Sequence, residues 1–150
     1  MSLEARDDLS VMLHQRLSRE IAEFGLRWKR VTPAEVLLIG QTFALDFGAD
    51  RDGVDVSYLE RTAAGQLAAY TLRFVEKERF TAADRVLFGS PDSLLDRRKA
   101  SLDGLLSGLS NHCRDILSGD KSWLDRDAWR TVRPSDPVIA ALAGELAPGG

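Results

Sequence analysis

The chain has one cysteine, Cys113, and two histidines, His14 and His112, among its 150 residues. A lone thiol closes no internal disulfide and builds no multi-cysteine metal centre, a usage that fits a reducing cytoplasm. No window approaches the roughly eighteen consecutive apolar residues a membrane-spanning helix needs, so no membrane span is expected. The start carries Glu4, Asp7 and Asp8 and lacks a basic opening followed by an apolar run, which argues against a secretory signal. Glycine-rich phosphate loops, a His-Glu-x-x-His pair and a Gly-x-Ser-x-Gly elbow are all missing, so nucleotide-binding, zinc and hydrolase chemistry are not indicated. Lysine is scarce beside arginine, which reads as the composition of a GC-rich bacterial genome.

What remains is an ordinary globular composition. Hydrophobic residues make up 44% and charged residues 29%, enough to bury one core without cross-links. We therefore expect a single domain over residues 1–150, with 1–4 and 147–150 frayed. The net charge of −3 argues against a general nucleic-acid or anionic-membrane binder, and no cofactor is implied.

Hydrophobic spacing gives the elements. Leu9, Met12, Leu13, Leu17, Ile21 and Phe24 recur at helical steps and predict an amphipathic helix from roughly residue 5 to 24, stopped by Gly25. Thr32-Pro33-Ala34-Glu35 matches a helix capping box, yet Val36-Leu37-Leu38-Ile39 fits either a short helical turn or a buried strand. From Thr42 the period becomes two: Phe43, Leu45 and Phe47, then Val54, Val56 and Tyr58, then Tyr70, Leu72 and Phe74. Asp52-Gly53 suits a two-residue hairpin turn, and Ala63 to Gln66 marks a second turn. Thr81 to Asp84 reads as the cap of a short helix, and Ser90-Pro91-Asp92 opens a long one through Leu117, closed by Gly119. Asp136-Pro137 starts a short amphipathic stretch with Val138, Ile139, Leu142 and Leu146.

These elements assemble into an α+β fold. The expectation is an antiparallel meander of three to four strands, packed on one face by two main α-helices, a two-layer domain with its other face open.

The one charge concentration with an implied geometry is the hairpin. With Asp52-Gly53 at its centre, Arg51 pairs with Val54, Asp50 with Asp55 and Phe47 with Tyr58. Asp46, Asp50 and Asp55 then share the open face. Like charges placed opposite one another in a sheet need a partner or solvent. The spacing fails the calcium-loop pattern, so no metal site is read there.

Other constellations are weaker. Ser118-Gly119-Asp120-Lys121 matches a serine nucleophile motif without its companion motifs, so Gly119 reads as a helix stop and Asp120 as the next cap. Adjacent residues on a helix diverge by about 100°, so His112 is poorly placed to activate Cys113, which reads as an inert core thiol. Asp125-Arg126-Asp127 reads as a charged loop. Trp28, in Arg27-Trp28-Lys29-Arg30, fits either sheet pairing or exposure, while Trp123 and Trp129 read as core. No catalytic residues are assigned.

Function follows from shape and charge alone. The leading expectation is a non-enzymatic, cytoplasmic protein-binding module of immunity or inhibitor type. Its acidic sheet face, with Asp46, Asp50, Asp52, Asp55 and Arg73, would take another, basic protein. The alternative is a small-ligand-binding protein or enzyme, with a pocket between sheet and helices lined by Asp46, Tyr58 and Arg73. A third possibility is a homodimer through the small flank Ala100, Gly104 and Gly108.

Overall fold

The computed structural model describes residues 13–32, 34–49, 54–81, 94–124 and 131–147. A helical turn at Leu13 leads into α1 (Ser18–Phe24), which ends at Gly25 in the left-handed region, φ 65°. Five strands follow: β1 (Arg27–Thr32), β2 (Glu35–Ile39), β3 (Ala44–Ala49), β4 (Val54–Arg61) and β5 (Leu67–Thr71). Helices α2 (Arg73–Arg79), α3 (Leu94–His112) and α4 (Arg114–Ser118) come next, then a two-residue strand β6 (Thr131–Val132) and α5 (Asp136–Ala141). The sheet is an antiparallel meander in the order β1-β2-β3-β4-β5-β6. The fold is α+β, and the strands outnumber the three to four expected.

Glu35–Ile39 is a hairpin arm, not a helix. The Thr32 hydroxyl accepts a hydrogen bond from the Ala34 N–H at 3.2 Å, and Thr32 pairs with Glu35 across the turn. The side chain suited to cap a helix here stabilises a tight turn instead. Val36, Leu37, Leu38 and Ile39 are all buried because both faces of the sheet are covered. On the inner face Val36, Leu38, Leu45, Phe47, Val56 and Tyr58 pack with Leu13 and Leu17 and with Leu102, Leu106 and Leu109 of α3. On the outer face Leu37, Ile39, Ala44, Leu59 and Ala69 pack under Val138, Leu142 and Leu146.

The outer layer corrects the two-layer expectation, since the C-terminal helix and the residues after it cover Leu37, Ile39, Ala44, Leu59 and Ala69 on the face thought open. Three charged side chains fasten it. Arg61 donates from Nε to the Glu145 carbonyl at 2.7 Å, from Nη2 to the Leu142 carbonyl at 2.7 Å and from Nη1 to the Gly65 carbonyl at 2.9 Å. The Leu142 carbonyl, just past the end of α5, also accepts from the Glu145 N–H at 2.9 Å, so Arg61 adds a second donor there. Lys29 donates to the Ala141 carbonyl at 3.3 Å, and Arg27 pairs with Glu145.

Two further readings change. Strand β5 ends at Thr71, and Arg73 and Phe74 belong to α2. The alternation of Tyr70, Leu72 and Phe74 hides a helical step, for Leu72 and Val75, three apart, are both buried. The long helix breaks at Cys113, whose φ of −130° and ψ of 32° separate α3 from α4. Gly119 then closes α4 with φ 92°, as expected. At Gly108 the Phe80 ring of the same chain occupies the space a Cβ would take, so this part of the small flank serves internal packing. The Ala100 side chain, Asp84, the Ser90-Pro91-Asp92 cap, Asp125, Asp127 and Trp129 lie outside the described residues.

Candidate functional site

The β3–β4 hairpin pairs Ala49 with Val54, Gly48 with Asp55, Asp46 with Ser57 and Leu45 with Tyr58. Residues 50–53 connect the strands, so the register lies two residues from that of a two-residue turn. A shift of two preserves which face each side chain occupies. Asp46 and Asp55 do share the outer face, but Asp55 stands opposite Gly48, not Asp50. Asp50 and Asp52 fall outside the described residues, as does the Arg73 side chain. Arg73 itself is on α2 and not on the sheet.

The same face gains a carboxylate that hydrophobic patterning did not reveal. Glu35 pairs with Gly48 from the β2 side, so Glu35 and Asp55 flank Gly48 across three strands. A Cβ placed on Gly48 would meet nothing within 4 Å, which leaves a notch between the two acids. Asp46 borders it two residues along β3, diagonal to Glu35. Ser57 and Thr71 continue the row beyond Asp46. The start of β4 is held from behind, where the Val54 N–H donates to Ser101 Oγ of α3 at 3.0 Å.

Burial, then a hydrogen bond with Glu35 and the Glu35 charge, together push the Asp46 carboxyl up to about 8. Oδ1 of Asp46 is buried without a hydrogen-bond partner. A proton held between Asp46 and Glu35 relieves the repulsion, yet the unpaired oxygen keeps its desolvation penalty. Among the described residues no group of three or more His, Cys, Asp or Glu is placed to hold a metal ion. The acids border the notch without converging on one point.

A second polar cluster lies on the inner face. Lys121 Nζ donates to Glu60 Oε1 at 3.1 Å, to the Tyr58 hydroxyl at 2.9 Å and to the Thr42 carbonyl at 3.1 Å. Tyr70 donates to Glu60 Oε2 at 3.3 Å. The Trp123 ring meets Tyr58 edge-on at 4.8 Å, and Phe43 stacks on Tyr58 at 5.6 Å. The Glu60 side chain is only 4% exposed and both its oxygens are bonded, so the carboxylate is saturated, and the pair ties Lys121 to the sheet. Ser118 Oγ donates to the Asp115 carbonyl at 2.8 Å, so the Ser-x-x-Lys spacing builds no Ser–Lys dyad. One signal was readable: Glu60 continues the inward parity of Val54, Val56 and Tyr58.

Asp46 and Tyr58 project to opposite faces of the sheet, so they do not line a common pocket. The described clefts lie elsewhere. One of about 490 Å³ is bordered by Gly25, Arg27, Gly40, Gln41 and Glu145, another of about 440 Å³ by Arg61, Gln66, Arg133 and Ile139. Cys113 is buried beside the Arg79–Asp115 ion pair, and burial pushes its thiol up to about 11. His112 is exposed, so the adjacent pair faces two ways. Among the described residues no helix is long and apolar enough to cross a membrane. Searches of protein-family models, of curated proteins and of solved structures return no match for this chain.

Proposed function

We propose that this protein is a non-enzymatic binding module that captures a basic protein partner on the acidic, uncovered part of its outer sheet face. An immunity- or inhibitor-type role in the bacterial cytoplasm is the concrete form of this reading. The observation that carries it is Asp46 Oδ1, buried without a hydrogen-bond partner beside Glu35 and the open notch over Gly48. An arginine or lysine side chain from a partner, laid into that notch, supplies the missing donor and neutralises the pair. A surrounding field of one sign adds to the rate of encounter.

Bait variants test this by affinity capture from host lysate. Gly48→Thr fills the notch while leaving every charge in place, and Glu35→Gln/Asp46→Asn keeps the shape while removing charge. A single stoichiometric basic partner held by wild type and lost with both variants is the expected result. Retention of that partner by both variants overturns the assignment of the face. Because the cation draws a proton from Asp46, capture strengthens as pH rises from 6 toward the Asp46 value of about 8.

A further inference from the structure

We propose that residues 136–147, the outer cover of the sheet, form a lid that opens as one cooperative unit while the inner layer stays folded, with Arg61 as its pin. Two separate apolar clusters permit this. The outer one joins Val138, Leu142 and Leu146 to the sheet and shares no residue with the inner one. The inner cluster holds Phe43, Phe47, Tyr58, Tyr70 and Phe80, whereas the outer one has no buried aromatic among the described residues. Loss of the outer contacts therefore leaves the larger core in place.

Away from the sheet the segment has little to hold its shape. α5 is six residues long, too short to persist alone in water. Its main-chain bonds are local, from Ile139 to the Ser135 carbonyl, from Leu142 to Val138 and from Glu145 to Leu142. Among the described residues one main-chain bond ties it to the β2–β3 connection, from the Ala147 N–H to the Gln41 carbonyl at 2.8 Å. The remaining polar ties are side chains, and Arg61 alone supplies two of them, to the Leu142 and Glu145 carbonyls. The far side of the segment lies in solvent, where Asp136, Pro137, Ala140, Ala143 and Gly144 are exposed. No further layer has to move for the lid to lift.

Backbone strain favours opening. Leu146 has φ 64° and is the one non-glycine residue with positive φ among the described residues. A leucine rarely adopts that conformation, and it persists here because the side chain is seated in the outer cluster, 7% exposed. Lifting the lid relaxes it. Leu37, one of the residues then uncovered, pairs with Asp46 across β2 and β3. The lid thereby regulates how much apolar surface adjoins the acidic part of the same face. Its opening does not rest on which partner those acids take.

Native-state hydrogen exchange of the full chain at low denaturant tests this. The amides of Ile139, Leu142 and Glu145 are expected to exchange through one shared opening, at least about tenfold faster than the slowest amides of β3 and β4. Ile116→Val weakens the inner cluster in the closed and open forms alike. It should speed the slowest sheet amides by about three- to tenfold and leave the lid amides within about twofold of wild type. Arg61→Met destabilises the closed form against both the open and the unfolded forms, so it speeds lid and sheet amides together by about tenfold. Lys29→Met, which removes one exposed donor, does the same by a smaller factor and replaces Arg61→Met if that variant does not fold. Equal acceleration of lid and sheet amides by Ile116→Val overturns the proposal. Separate denaturant responses of the three lid amides, or lid exchange unchanged in the Arg61 and Lys29 variants, overturn it as well.

Discussion

Each face of the sheet carries a carboxylate largely withdrawn from water, and the two are treated differently. On the inner face Glu60 is buried but saturated, with Lys121 and Tyr70 bonded to its two oxygens. On the outer face Asp46 has an acid for a neighbour and one buried oxygen without a partner. The inner group closes the structure and leaves nothing over for a ligand. The outer group holds unused bonding capacity beside open space. Burial alone does not mark a working site; burial with an unmet hydrogen bond next to a notch is the better guide.

The sharpest way to break this comparison is to remove the inner cation. Lys121→Ala leaves Glu60 buried without its charge partner and should cost about 3–5 kcal/mol in chemical denaturation. A loss below about 1 kcal/mol would mean that the pair is not structural. Lys121→Met combined with Glu60→Leu should recover most of the loss, to within about 1–2 kcal/mol of wild type, because the cluster then becomes apolar.

Asp46→Asn probes the outer member. The folded-state value of Asp46 lies above the unfolded one, so the folded chain binds the extra proton between pH 4 and 8. The contribution of this group is therefore fully present below pH 4 and is lost as pH rises through about 8. The asparagine variant should be more stable than wild type at pH 8 by on the order of 1–2 kcal/mol, with the gain vanishing toward pH 4. Paired thermal melts at the two pH values check this.

Gly48→Thr should stabilise the chain by roughly 0.5–1 kcal/mol, since a strand glycine gives way to a β-former in open space. A gain in stability together with loss of partner capture would separate the function of the notch from the needs of the fold. The smallest effect concerns the thiol. With its value near 11, Cys113 should react with iodoacetamide in the native state at least about tenfold more slowly than in denaturant.

How far the chain could be read in advance depends on what each pattern encodes. Alternation placed Phe47, Val56 and Tyr58 inside and Asp46 outside, because parity survives a register shift of two. It could not choose between a connection through Asp52-Gly53 alone and one spanning residues 50–53. The glycine stops at Gly25 and Gly119 were legible because left-handed backbone is a local demand. Thr32 to Glu35 satisfied helix and hairpin chemistry equally well, and tertiary burial on both faces decided for the strand. Of the notch, Asp46 and Asp55 were read correctly as outward acids. Glu35 is not singled out by the pattern because Thr32-Pro33-Ala34-Glu35 also fits a helix capping box, which gives the glutamate another role. The Glu60–Lys121 bond joins residues far apart in the chain, which no short-range period records.

Arg61 holds three main-chain carbonyls, and those at Leu142 and Glu145 belong to a segment that follows every strand of the sheet. During synthesis the apolar outer patch of Leu37, Ile39, Ala44 and Leu59 is complete before its cover, Val138, Leu142 and Leu146, has left the ribosome. The nascent sheet thus passes through an interval with a sticky, uncovered side, when self-association competes with closure. Chains shortened before residue 136 remain in that condition, and their yield as dispersed protein should depend on chaperone supply far more than that of the full sequence.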